Sequence, residues 1–311
     1  MSRLVVEPWA AEYGGPLDFD TDSGEAPEIV PGGEGPWEPL SEPVSVPPVV
    51  TFVDGVRRPD ARLTVDDGTG QLPIPGVAGS YAVGAVRWYP QERRSEFTEV
   101  RVERVAVCGD GASIDLPPVG PGLVYAAMSS PERSLDSLVQ TFHGAMRIAE
   151  ADLAEDLAKA GYLVFADGPL NILSELPKVG YIKTHRVSYL PGDLIGIIAR
   201  LGQGERTPFF RIPDFKRNSW YLRLRDIADG HAWSGIVRCE VAHALGDAKT
   251  VELANISTAI LPLLASESFR DPRAPQNLVP IAGLERELRR RMGVAPLIHR
   301  FITEATNGVA A

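Results

Sequence analysis

The sequence predicts an α/β fold in which helices flank a mixed β-sheet. Apolar, β-prone runs dominate residues 49–128, a helical repeat of apolar residues covers 134–160, and strands then alternate with helices as far as residue 306. The chain has 311 residues, of which 44% are apolar and 23% are charged. This is long enough for one large domain with a sizeable buried core.

The part of the chain before residue 130 should contain four strands. Each is an apolar or alternating run rich in β-branched and aromatic residues, and a loop rich in Pro, Gly and Asp is expected over 59–77. The strands are predicted over 49–58, 79–89, 99–108 and 123–128.

A long helix is predicted from Ser134 to Ala160. Its apolar residues recur at spacings of three and four, Ser134 is a suitable N-cap, and Gly161 is a suitable stop. Glu150 lies four residues after Met146 and therefore falls on the apolar face. A carboxylate on a face that packs against the core needs a partner there.

Strands and helices alternate after this helix, which is typical of a mixed sheet with helices on its faces. Strands are predicted over 162–167, 179–183, 208–212, 220–224 and 235–241. Helices are predicted over 193–201, 248–266, 280–292 and 295–306.

The chain divides into an acidic N-terminal arm, 1–47, and a body, 48–311. The arm is rich in Pro and Gly, lacks periodicity, and carries ten acids and one base, so we expect it to be mostly irregular. It is either a solvated acidic tail or a segment that docks on a partner or second subunit with the help of Trp9, Tyr13 and Trp37. Of the formal net charge of −10, the arm holds −9, which leaves the body nearly neutral and compatible with a nucleic-acid partner.

The composition predicts a cytoplasmic protein. No run of 18 apolar residues is present, so no transmembrane helix is expected, and the N-terminal apolar stretch is too short for a signal peptide. Cys108 and Cys239 lie in apolar strand-like runs without metal-binding spacing, which predicts two buried, reduced thiols.

Three carboxylates are the strongest functional signal. Asp54 and Asp167 each follow an apolar run and precede a glycine, and Glu150 lies on the predicted helix between them. Each Asp-Gly alone is commonly a turn, and a buried Glu can simply pair with an Arg. Three acids brought together, however, cannot all ionise readily unless a cation joins them. Acids at the ends of adjacent strands plus one from a packed helix form a pattern that ribonuclease-H-like nucleases use.

This set of acids predicts phosphodiester chemistry with Mn²⁺ or Mg²⁺, one or two ions, because hard cations prefer carboxylate oxygens. Lys183 follows a strand soon after Asp167 and could stabilise charge on a phosphate, although an ordinary edge lysine is equally compatible. Residues 270–300 carry seven Arg and three acids, which suits either phosphate contact or a solvated helix with internal ion pairs.

Motifs for other activities are missing. The sequence has no GxxxxGK[ST], no GxGxxG between a strand and a helix, no GxSxG and no metal-binding histidine spacing, which argues against an ATPase, a dehydrogenase and a serine hydrolase.

In order along the chain, four segments resemble the NurA nuclease family: 52–55 with Asp54, helical Glu150, 165–168 with Asp167, and 180–183 with Lys183. The segment 271–278 before a helix is similar to bacterial members, and the resemblance covers about residues 48–295. It implies a ribonuclease-H-like, metal-dependent DNA nuclease of 5′–3′ exonuclease or endonuclease type, which acts in end processing, repair or phage defence. It also implies a homodimer and a hexameric HerA-type ATPase as partners.

By this resemblance Asp54, Glu150 and Asp167 are metal ligands, and Lys183 is the lysine after the second aspartate strand. Archaeal members carry Tyr and His where this chain has Asn277 and Glu285. We predict that Glu285 still binds metal. The predicted nucleic-acid contacts are Arg57, Lys183, Arg273, Asn277, Arg286 and Arg289.

Two alternatives stay open. The departures at Asn277 and Glu285 are compatible with an inactive adaptor that gates or loads DNA for the ATPase. A nuclease of similar fold that acts on RNA is the other.

Overall fold

The structure, a computed structural model, describes residues 3–6, 27–66, 68–185, 188–227, 232–267, 269–271 and 273–308. Of residues 3–6 it describes the backbone path alone.

One sheet of eleven strands runs through the described chain. Its spatial order is β2-β9-β10-β11-β8-β7-β3-β4-β5-β6, and β1 pairs with β3 beside this path. The strands are β1 Arg3–Val6, β2 Val30–Pro31, β3 Val50–Asp66, β4 Ile74–Tyr89, β5 Arg94–Cys108, β6 Ala126–Ser129, β7 Val164–Asp167, β8 Lys178–Ile182, β9 Phe210–Ile212, β10 Arg217–Arg223 and β11 Ile236–Ala242.

The sheet is mixed, as predicted. Strands β3, β4 and β5 form an antiparallel meander, and β7 and β8 lie on the other side of β3, parallel to it and to each other. Three antiparallel strands, a helix and then parallel strands beside the first strand make a ribonuclease-H-like sheet. The predicted α/β class, a mixed sheet flanked by helices, is confirmed.

Four α-helices cover the sheet: α1 Leu135–Lys159, α2 Asp247–Leu264, α3 Val279–Arg291 and α4 Ala295–Gly308. Helix α1 begins where the Ser134 hydroxyl accepts a hydrogen bond from the Ser137 N–H at 3.2 Å. It packs on one face through residues such as Phe142, while α2 and α3 share a core with Phe52 on the opposite face. Helix α4 covers the far end of the β3–β4 hairpin, where Ile298 and Ile302 pack with Leu63.

The local prediction for residues 59–77 was wrong. The expected loop over 59–77 is mostly strand, because β3 continues to Asp66 and β4 starts at Ile74. A register shift between Pro59 and Ala61 lets the strand accommodate its proline. Asp54 therefore lies inside a long strand and not at its end. The short helix expected over 193–201 is present as a 3-10 helix, Ile195–Arg200.

The N-terminal arm is mostly irregular where it is described, with two short paired segments. Arg3–Val6 pairs antiparallel with the end of β3, and Val30–Pro31 pairs with β9. Trp37, a candidate for docking on a partner, donates its indole N–H to the Leu194 carbonyl of the same chain at 3.0 Å. The other two candidates, Trp9 and Tyr13, lie outside the described residues.

Both cysteines are buried and free, as predicted. Within the described residues, each helix is too short or too polar to cross a membrane.

Candidate functional site

A cleft opens beside β3 at a gap in the sheet. One edge of β3 pairs with β7 through Thr51–Val53 and with β1 through Leu63–Asp66, and no described strand pairs with that edge in between. Asp54 is the first residue beyond the β7 pairing, so its side chain lies where the sheet opens. Residues from β3, α1 and the ends of β7 and β8 line the cleft, among them Asp54, His143, Arg147, Glu150, Asp167, Asn171 and Lys183.

Three acids meet at this gap: Asp54, Asp167 and Glu285. One carboxylate oxygen of each lies within 4.8 Å of the other two. Alternation along the strands explains the meeting, because Phe52 and Phe165, two residues before the aspartates, both belong to the core that α3 covers. We refer to Asp54, Asp167 and Glu285 as the acid trio.

Glu150 is placed differently from our expectation of one cluster with Asp54 and Asp167. It comes from α1, on the opposite face of the sheet, and is not a member of the acid trio. A Cβ atom at position 55 would lie 3.3 Å from Glu150 Oε2, so Gly55 allows this carboxylate to approach β3 closely. The glycine after Asp54 thus serves close packing and not a turn.

Asp54 is a buried carboxylate that lacks a complete set of partners. Its Oδ1 accepts a hydrogen bond from the Gly55 N–H at 2.7 Å, whereas Oδ2 is buried and has no hydrogen-bond partner among the described residues. Burial, followed by the charge of Asp167, raises the pKa of Asp54 well above its ordinary value. An uncompensated buried oxygen of this kind is unfavourable until a proton or a cation reaches it.

Lys183 supplies a positive charge to the acid trio. Its ammonium donates to Asp167 Oδ2 at 2.6 Å and to Asn277 Oδ1 at 2.9 Å. Burial alone would lower the pKa of Lys183, but the carboxylates of Asp167 and Asp54 outweigh it and raise that pKa. Lys183 therefore stays protonated and positively charged beside the acid trio.

Asn277 does not occupy the nucleic-acid-binding position that we expected. Its side chain is fully buried, and its amide nitrogen donates to Asp271 Oδ2 at 2.6 Å while its oxygen holds Lys183. The amide has a donor and an acceptor on one planar group, so it can join a cation to a carboxylate. We conclude that Asn277 positions Lys183.

Glu285 is held by two arginines. Arg273 donates to both of its carboxylate oxygens, at 2.9 and 2.8 Å, and Arg289 donates to one at 3.2 Å. Burial would raise the pKa of Glu285, but the Arg273 hydrogen bonds outweigh it and lower that pKa. Glu285 therefore reaches the trio as a carboxylate. Arg273 and Arg289 remain about half exposed, and Arg286, on the same helix, is exposed.

The opposite wall of the cleft carries basic residues that sequence reasoning missed. His143, Arg147 and Glu150 follow one another on α1 at helical spacing, and all three line the cleft. Burial, then the charges of Arg57 and Arg147, lowers the pKa of His143 to about 4, so its imidazole is neutral near neutral pH. The spacing of these residues with Glu150 was visible in the sequence and could have identified them.

The acid trio fits a hard divalent cation. It offers carboxylate oxygens from three elements within 4.8 Å of one another, and one oxygen of Asp54, Oδ2, is buried without a hydrogen-bond partner in the part of the chain that the structure describes. Glu150, on the other face, is near enough for the charges of Asp54 and Asp167 to raise its pKa further, after burial. This donor set suits Mg²⁺ or Mn²⁺ better than a soft metal.

Comparison with known proteins gives a likeness to solved structures and none to sequence families. Searches against protein-family models and against curated proteins find no match. Among solved structures, the chain is similar to the crystal structure of the NurA nuclease from Sulfolobus solfataricus, with 9% sequence identity and a TM-score of 0.43 over 88% of this chain and 86% of that chain. The likeness is to a member of the family that the sequence motifs resemble, and it is one of overall architecture.

The buried acids predict a pH-dependent stability of the metal-free protein. The native pKa values of Asp54 and Glu150 are raised above their ordinary 3.8 and 4.5, first by burial and then by neighbouring carboxylates. Between the ordinary and the raised values the native state holds protons that the unfolded state has released, so the free energy of unfolding falls as pH rises. Below the ordinary values both states are protonated and this penalty disappears.

We therefore expect an Asp54→Asn/Glu150→Gln double variant to gain stability relative to wild type as pH rises from about 5 to 8. Urea unfolding in EDTA at each pH measures the difference. Taking the difference cancels the ionisable groups that are remote from Asp54 and Glu150, which titrate alike in both proteins. A difference that does not vary with pH would contradict the prediction.

Proposed function

We propose that this protein is a divalent-metal-dependent DNA nuclease. The observation that carries the proposal is the acid trio of Asp54, Asp167 and Glu285, which lies at a gap in a ribonuclease-H-like sheet with Lys183 against it. Carboxylates that converge in this way, with basic residues on both sides, suit the hydrolysis of an anionic phosphodiester.

The residues of the site would have different roles in this hydrolysis. Asp54, Asp167 and Glu285 would hold the cation, with Glu150 available from the opposite face for a second one. A bound Mn²⁺ or Mg²⁺ supplies a Lewis acid that polarises the phosphodiester and acidifies water. Lys183, fixed by Asn277 and Asp167, keeps a proton and a positive charge where negative charge develops on phosphate. Arg273 and Arg289 orient Glu285 and leave exposed guanidinium edges toward the nucleic acid.

The wider biological setting is proposed from the sequence resemblance. It comprises 5′–3′ exonuclease or endonuclease action in end processing, repair or phage defence, a homodimer, and a hexameric HerA-type ATPase that feeds DNA to the nuclease. Co-purification with a hexameric HerA-type ATPase, together with the mass of the purified protein in solution, would test the two assemblies separately.

The decisive experiment is a cleavage assay on linear single- and double-stranded DNA and matched RNA. The full-length protein is assayed with Mn²⁺, with Mg²⁺ and with EDTA, each with and without the ATPase. We expect cleavage of DNA that requires metal and is lost in Asp54→Asn. Asp115→Asn is the matched control, because it removes an exposed carboxylate that does not line the cleft and should keep full activity.

A second function is favoured by a specific feature of the site. Lys183 already pairs with Asp167, and Arg273 already pairs with Glu285, so internal cations neutralise two members of the trio. Such a site could persist without metal in an adaptor that gates or loads DNA for the ATPase. Folded protein that cleaves nothing in any arm of the assay, yet binds the ATPase and DNA, would support the adaptor and refute the nuclease.

A further inference from the structure

The cleft has a second basic wall, on the side of α1, that the proposed chemistry does not use. His143 and Arg147 line it, and Arg57 on β3 is close enough for its charge to act on His143. Arg147 donates to Asn171 Oδ1 at 3.1 Å, which fixes the guanidinium at the cleft. We call His143 and Arg147 the α1 ledge.

The α1 ledge and the arginines around Glu285 lie on opposite faces of the sheet. Val53, on the α1 face, packs with Phe142, whereas Phe52, on the other face, shares its core with Leu284 and Leu288 of α3. The acids at the sheet gap therefore have cationic groups on both sides. A polyanion that passes through the gap would meet a positive charge before and after the acids.

We propose that His143 and Arg147 form a phosphate subsite next to the reaction centre. The inference rests on the proposed nuclease function, and it adds the site at which the protein holds the DNA strand. Arg147 supplies a planar, permanently charged donor set that matches phosphate oxygens, and neutral His143 supplies a hydrogen bond without further charge. The ligand is a phosphate of the DNA strand, either the internal diester beside the one that is cleaved or a terminal monoester at a strand end.

A different role for Arg147 must be separated from this one. Burial and the neighbouring aspartates raise the pKa of Glu150, and the charge of Arg147 offsets part of that rise, so Arg147 could serve only to balance that carboxylate. A balancing role would change stability or metal response, but it would not depend on whether the ligand carries a phosphate and would not alter the salt dependence of DNA binding.

The test measures DNA binding in EDTA, where hydrolysis by a metal nuclease is absent. Fluorescence anisotropy follows a short single-stranded DNA labelled at its 3′ end, with either a 5′-phosphate or a 5′-hydroxyl, over a range of salt concentrations. We expect Arg147→Gln to weaken binding about tenfold and to reduce the slope of log affinity against log salt by roughly 0.7, the value for one lost phosphate contact on a single strand. His143→Gln should weaken binding less, and Arg147→Lys should keep most of the salt slope because it keeps the charge.

Arg300→Gln is the matched control, since it removes the same charge from a side chain that is exposed on α4 and paired with Glu304. A loss confined to the 5′-phosphate DNA assigns the subsite to a terminal monoester, and an equal loss on both DNAs assigns it to an internal diester. Equal effects of Arg147→Gln and Arg300→Gln, with thermal unfolding confirming that both fold, would overturn the proposal, as would absence of DNA binding by the wild type. Arg147-dependent binding without cleavage in Mn²⁺ would refute the nuclease while keeping the subsite.

Discussion

Asp54→Asn is expected to lower metal-dependent DNA cleavage by roughly 10³-fold or more, while making the metal-free protein more stable. The two effects have one cause. Asp54 lies close to Asp167 and Glu285, and one of its buried carboxylate oxygens has no hydrogen-bond partner within the described parts of the chain. Asparagine keeps the acceptor for the Gly55 N–H, removes the charge, and can donate to a neighbouring carboxylate. The Asp54 carboxylate therefore lowers the stability of the metal-free protein, and Asp54→Asn removes this cost together with the activity.

Thermal unfolding with and without metal measures both sides of this prediction. A cation that binds only the native state stabilises it by about 2.7 kcal/mol at a hundredfold excess over its dissociation constant. Wild type and Asp115→Asn should show a rise in Tm with Mn²⁺ or Mg²⁺. Asp54→Asn should start from a higher Tm in EDTA and respond little. If instead it starts lower and keeps the metal response, Asp54 is a structural acid and the cation binds elsewhere.

The parts of the site that the sequence could predict are those set by local pattern. Asp54 and Asp167 end apolar runs that pair as neighbouring parallel strands, and Glu150 lies on the buried face of α1, as its spacing predicted. The strand character of the two runs follows from their β-prone residues, and the position of Glu150 follows from the periodicity of a helix.

The remaining parts depend on packing between distant elements. Whether Glu150 joins the acid trio depends on which face of the sheet α1 covers, and spacing along α1 does not determine that. Asn277 and Lys183 are far apart in sequence and meet only because the loop before α3 folds over the end of β8. The segment 59–77 reads as a loop in the sequence because its Pro, Gly and Asp residues are typical of turns. In the structure, pairing between β3 and β4, with a bulge between Pro59 and Ala61, keeps most of it extended.

Removal of the Glu34 carboxylate is expected to lower the free energy of unfolding by about 3–5 kcal/mol, the usual cost of breaking a buried ion pair. Glu34 belongs to the acidic arm, yet its side chain is only 9% exposed and pairs with Arg206, which is fully buried. Arg206 donates to both Glu34 oxygens, at 2.9 and 2.6 Å, and the Phe209 N–H donates to one of them at 2.6 Å. Glu34→Ala would leave a buried guanidinium and a backbone N–H without this acceptor. Urea unfolding in EDTA, away from any metal effect, measures the loss.

Two further variants decide what the result means for the arm. Glu38, four residues after Glu34, forms an exposed ion pair with Arg200. Glu38→Ala breaks that pair and should change the free energy of unfolding by only about 0–1 kcal/mol. A Glu34→Leu/Arg206→Met double variant should recover much of the loss, because apolar replacement of a buried ion pair is often neutral. If Glu34→Ala proves as mild as Glu38→Ala, the contact does not hold the arm to the body. If the loss is large and the double variant recovers it, this part of the arm is a fixed element of the fold. The Glu34 carboxylate then pairs within the chain and is not a contact for a partner.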